Sequence, residues 1–181
     1  MILCHPHPLY GGSMDNNVVY TLSETLTQSS LASFRFNFRG VGSSQGEFGD
    51  GIGEQEDVKA AISFVSTVKE LDSGRIGLAG YSAGAAFALP VGANDARINA
   101  LAAISPPLTM FEFDLLKQCP KPKLFVSGSN DDYTPASRFL ESCRSLSEPK
   151  ECEVIEGADH FWRGCESSVA AEVAAFFAEV L

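Results

Sequence analysis

Apolar and polar positions alternate with two different periods along this chain, and the changes between them divide it into segments. The run "ILCH" at residues 2–5 reads as the last part of a strand. From Met14 to about Ser30, Val18, Leu22 and Leu26 recur every fourth residue, the spacing of one face of an amphipathic helix. "SFRFNFR" then alternates Phe34, Phe36 and Phe38 with Arg35, Asn37 and Arg39, which is strand periodicity. The Gly/Ser loop "GVGSSQGEFGDGIG" leads to a second helix with Val58, Ile62, Val65 and Leu71 on its face. "RIGLAG" is a short apolar strand, and "AGAAFAL" after it continues as a helix that Pro90 is expected to kink or end. "INALAAIS", "KLFVSG" and "ECEVIEG" read as three more strands, with helices at Pro135–Ser147 and Cys165–Leu181.

Strand and helix in alternation predict an α/β protein: a mostly parallel sheet with helices on both faces. No internal repeat or linker interrupts the pattern, so residues 1–181 read as one domain. In such sheets ligands bind beyond the carboxyl ends of the strands. The segments that matter are therefore His5–Gly12, Gly40–Gly51, Tyr81–Gly84, Ser105–Asp114, Ser129–Pro135 and Gly157–Trp162.

Composition narrows the function. The chain is 45% hydrophobic, enough for a sizeable core, and carries 13 Lys+Arg against 23 Asp+Glu, a net charge of -10. With no cluster of Lys and Arg to neutralise phosphates, nucleic acid is not expected as a partner. Nor is a membrane, because no apolar run reaches spanning length. The five cysteines are odd in number and lack close paired spacing, as in a reducing, cytoplasmic setting; Cys143 and Cys152 are the pair that exported protein would join.

Candidate chemistry falls in the strand-end segments. Gly80-Tyr81-Ser82-Ala83-Gly84 has the form G-x-S-x-G, between a predicted strand and a predicted helix. Such a turn puts Ser82 in a strained conformation, leaves no room for side chains two residues before or after, and sets the Ala83 N–H at a helix N-terminus where an oxyanion can be held. Tyr81, beside the nucleophile, is grouped with the oxyanion and substrate-binding residues. A serine hydroxyl needs a base. His160 in "EGADHFW" follows the last strand and is the only histidine in the C-terminal half. The base needs an acid to fix its tautomer. Asp131 and Asp132 in "VSGSNDDYTP" are both placed for that role, whereas Asp159, one residue from His160 on an extended segment, points away.

Taken together, "CHPHPLYGGSMDN", "FRFNFRGVGSSQGEF", "GYSAG", "GSNDDYTP" and "GADHFW" resemble, in the same order, segments of capless α/β-hydrolases of the small bacterial esterase and dienelactone-hydrolase-like group. The resemblance extends over essentially the whole chain. It implies an α/β-hydrolase fold without a cap domain, with Ser82, Asp131 and His160 in nucleophile, acid and base roles. The family's acid stands three residues after the glycine of its strand, here Gly128, which favours Asp131 over Asp132. The resemblance also implies that the loop after the first strand supplies a second oxyanion N–H. Pro6 and Pro8 have none, leaving His7, Leu9 or Tyr10. It further implies strands ahead of the one ending at His5, which this sequence lacks; the sheet edge so exposed invites a homodimer.

The expected activity is hydrolysis of short-chain carboxylic esters through an acyl-enzyme, with a small-molecule ester as partner and no cofactor. Tyr10, Phe48, Phe111, Phe113, Tyr133, Phe161 and Trp162 are the candidate rim, about half of them expected in the core. Two rival readings stand beside it: a metal-dependent hydrolase using His5, His7 and His160, and a hydrolase-like binding protein without catalysis.

Overall fold

The computed structural model describes residues 1–110 and 113–181. Six strands, β1 (Ile2–Cys4), β2 (Phe34–Arg35), β3 (Ile76–Tyr81), β4 (Ile98–Ile104), β5 (Lys123–Asn130) and β6 (Lys150–Asp159), form one sheet in the order β2-β1-β3-β4-β5-β6. Every pairing is parallel. The connections carry helices α1 (Asn17–Gln28), α2 (Ile52–Val65), α3 (Ala83–Asn94) and α4 (Ala136–Arg144), with α5 (Glu166–Val180) after β6. The expected α/β class and doubly covered sheet are both present.

Strand alternation sorts the core into two layers. Ile2, Ile76, Leu78, Leu101 and Phe125 face α2, α3 and α4, where Val58, Ile62, Phe87, Leu89 and Phe139 meet them. Leu3, Ala79, Ala102, Leu124 and Val126 face α1 and α5, against Val18, Leu22, Leu26, Val169, Val173 and Phe177. Central β3 is buried at all its residues, which explains why it reads as a continuous apolar run. Among the described residues no helix is long and apolar enough to cross a membrane.

Three elements differ from the periodicity reading. Only Phe34 and Arg35 of "SFRFNFR" pair as strand, against Ile2 and Leu3. β1 ends at Cys4, so no partner backbone exists farther along, and the Phe38 N–H donates to the His5 imidazole instead. α2 ends at Val65, and Leu71 lies beyond it, half-buried against the same core layer. Pro90 does not end α3, which runs on to Asn94.

Candidate active site

The first functional group is set by the β3–α3 turn. Ser82 has φ 54° and ψ −125°, a left-handed conformation that costs a non-glycine residue energy and persists only where its surroundings hold it. Its N–H is fixed to the Ile104 carbonyl on β4 at 2.8 Å. Both flanking glycines are obligatory, though for different contacts. A Cβ on Gly80 would sit 2.5 Å from the backbone of Ala85, and one on Gly84 2.4 Å from the His5 carbonyl oxygen. The Ser82 turn is thus wedged between its own helix and the end of β1. Ala83 opens α3, so its N–H lies in the first helical turn, where no intrahelical acceptor exists and the dipole favours negative charge.

Asp131 follows β5 directly and is buried. Its Oδ1 accepts the N–H groups of Tyr133 at 2.9 Å and Thr134 at 2.8 Å, and both carboxylate oxygens lie 2.9 Å from His160 Nδ1. Burial pushes this carboxyl's pKa up, but hydrogen bonds from His160, Ser105 and Thr134 outweigh it and the net shift is downward. The group is therefore an anion at neutral pH, and an anion beside Nδ1 keeps the imidazole proton there. That leaves the Nε2 lone pair facing Ser82 Oγ at 3.0 Å. Ser82, His160 and Asp131 thus form one hydrogen-bonded line across the carboxyl ends of β3, β6 and β5. Asp132 is exposed and outside it, while Asp159 Oδ1 accepts the Phe161 and Arg163 N–H groups.

Further side chains, some of them expected in other roles, hold this line in place. The Tyr81 phenol is buried and donates to the His160 carbonyl at 2.7 Å, so it braces His160 and is not open to substrate; the expected substrate-binding role for Tyr81 is corrected accordingly. Strand alternation is the reason, since a residue one before Ser82 points to the opposite layer. Ser105, buried just after β4, accepts Trp162 Nε1–H at 3.1 Å and hydrogen-bonds Asp131. The Tyr133 ring lies 4.5 Å from the His160 ring.

The loop after β1 carries the candidate second oxyanion donor. Leu9 N–H donates to His7 Nδ1 at 3.2 Å and Tyr10 N–H to the His7 carbonyl at 3.1 Å, so neither expected donor is free. The short 3-10 turn Pro8–Tyr10 consumes both. His7 N–H has no partner among the described residues, and His7 is the remaining one of the three.

Leu9, Tyr10, Tyr133 and Phe161 are exposed, whereas Phe113 and Trp162 are buried and leave the rim; Phe111 lies outside the described residues. His5, His7 and His160 each have their one lone pair committed, to Phe38 N–H, Leu9 N–H and Ser82. Among the described residues no group of three or more His, Cys, Asp or Glu is placed to hold a metal ion.

Comparison with known proteins identifies the family to which this fold belongs. Residues 2–176 match the model of a family described as alpha/beta hydrolase domain. The uncharacterized protein RP471 of Rickettsia prowazekii is 35% identical over 170 residues, 90% of this chain and 71% of that protein. An alpha-beta serine hydrolase homologue from Coxiella burnetii is 38% identical and superimposes with a TM-score of 0.87, covering 96% of this chain and 82% of the other. XC6422 from Xanthomonas campestris, described as an a/b serine hydrolase without lid, is 28% identical with a TM-score of 0.88, over 99% and 81% of the two chains.

Proposed function

The chain belongs to the alpha/beta hydrolase domain family, and from that premise we propose that it is a serine hydrolase of short-chain carboxylic esters. The observation that carries the reading is the unbroken line Ser82 Oγ, His160 Nε2, His160 Nδ1, Asp131, with contacts of 3.0 and 2.9 Å. Ser82 Oγ attacks the ester carbonyl carbon while His160 Nε2 takes its proton, and Asp131 stabilises the imidazolium. The oxyanion is received by the Ala83 and His7 N–H groups. Collapse of the tetrahedral intermediate breaks the C–O bond, and His160 returns the proton to the departing alcohol. Water then attacks the acyl-serine, His160 again taking and returning a proton, and the carboxylic acid leaves with Ser82 restored. Neither step consumes a cofactor.

An open apolar rim, with Leu9, Tyr10, Tyr133 and Phe161 exposed, favours small uncharged esters over phosphate esters, which call for cationic groups. An odd number of cysteines without close paired spacing supports a reducing compartment, the cytoplasm. The test is hydrolysis of a p-nitrophenyl ester series from acetate to decanoate. Turnover highest for the short acyl chains, and reduced to background in Ser82→Ala, is the expected result. Ester turnover undiminished in Ser82→Ala would end the proposal.

A further inference from the structure

His5 is wholly buried, yet both its ring nitrogens are engaged in a way the serine mechanism does not require. Its Nε2 lies 3.0 Å from the Phe38 backbone N–H and its Nδ1 2.7 Å from the Pro6 carbonyl oxygen. A backbone N–H can only donate, so Nε2 is the acceptor and the ring's single proton sits on Nδ1, donated to Pro6. The Pro6 carbonyl belongs to the same peptide unit as the His7 N–H. That unit is trans, so its C=O and N–H point in opposite directions in one rigid plane. Fixing one end aims the other.

We infer that His5 is a positioning residue for the oxyanion hole, holding the Pro6–His7 peptide plane so that the His7 N–H points at the developing charge. The inference rests on the serine-hydrolase reading above. The pyrrolidine ring locks φ of Pro6, so the plane's remaining freedom is rotation about the bonds on either side of it. The His5 bond removes that freedom from below. From above, the His7 carbonyl accepts Tyr10 N–H at 3.1 Å and Gly12 N–H at 3.0 Å, which fixes the next plane. The anchor itself is rigid: the His5 ring meets the Phe38 ring edge-on at 4.7 Å in a segment that is not part of the loop. A hydrogen bond accepted at a carbonyl also polarises its peptide unit and strengthens the attached N–H as a donor. Burial lowers the His5 pKa and keeps the ring neutral, which preserves Nε2 as an acceptor.

Two substitutions separate the ring's two bonds. His5→Asn keeps a donor near the Nδ1 position and loses the acceptor for Phe38; His5→Gln keeps an acceptor near the Nε2 position and loses the donor to Pro6. A contact that serves only the transition state changes kcat and leaves KM alone. The expected result is a kcat at least about tenfold lower in His5→Gln with KM within about twofold, and a kcat at least about fivefold higher in His5→Asn than in His5→Gln. Equal kcat in the two variants, or a loss that follows melting temperature alone, would overturn the inference. If His5→Gln does not fold, nitrogen-15 NMR of the wild-type imidazole decides: a proton on Nδ1 supports the assignment, and a proton on Nε2 refutes it. Wild-type protein without ester turnover would remove the serine-hydrolase reading and this inference with it. Wild-type turnover with an unaffected His5→Gln removes the inference alone.

Discussion

Two adjacent aspartates show how local geometry decides chemistry. Asp131 is buried with its carboxylate on His160 Nδ1, while Asp132, one residue on, is exposed. Asp131→Asn removes the charge that holds the imidazole tautomer and is expected to lower kcat by about a thousandfold or more. Asp132→Asn is expected to stay within about twofold of wild type, since its side chain is solvated. Steady-state kinetics on a p-nitrophenyl ester checks both, and equal losses would contradict the assignment. Ser105→Ala should act on stability as well as rate, because it strips a partner from both Asp131 and the buried Trp162 N–H. A cost of about 1–3 kcal/mol in urea unfolding is expected. Ser82, Asp131 and His160 were legible as candidates because each follows a strand and they stand in nucleophile–acid–base order; that they meet in one hydrogen-bonded line comes from the fold. The supporting contacts of Tyr81, Ser105 and Trp162 were not. Their work depends on which layer a side chain enters and on contacts as far apart in the chain as Tyr81 and His160, and periodicity cannot place those.

At the level of elements, α1 is started by Asn16, whose Oδ1 accepts the Val18 N–H at 3.0 Å. Asn16→Ala should cost about 1 kcal/mol, measured as a lower urea midpoint at unchanged slope. No loss would mean that packing of Val18, Leu22 and Leu26 alone sets where this helix begins. Helix and strand order could be read along the whole chain because burial imposes clear periods. The mistaken bounds share one cause: pattern records burial, whereas an element also needs hydrogen-bond partners. Phe36 and Phe38 keep strand alternation after β1 has ended, and Leu71 keeps facing the core after α2 has stopped. Pro90 is the opposite case, a local breaker overridden by the packing of an almost wholly buried helix.

Across the whole molecule, acid stability follows from groups whose charge the fold perturbs. Burial lowers the His5 pKa from 6.5, so the unfolded chain binds a proton more readily than the folded one. That stability is fully present above pH 6.5 and is lost as pH falls below it through the folded value. Asp131, shifted below 3.8, acts in the same direction at lower pH. The melting temperature of wild type should therefore fall more between about pH 7 and about pH 5 than that of His5→Asn, in which the titrating ring is absent. Parallel curves would mean that His5 is not held neutral by burial. The catalytic reading itself depends on the whole fold, because β3, β5, β6 and the loop after β1 must converge for Ser82 to become nucleophilic. Reaction with a fluorophosphonate probe, with the adduct mapped by mass spectrometry, tests that convergence most directly. A single adduct on Ser82, lost in His160→Ala and insensitive to chelators, is the expected result. Folded protein that takes no label, or takes it on another residue, would contradict it.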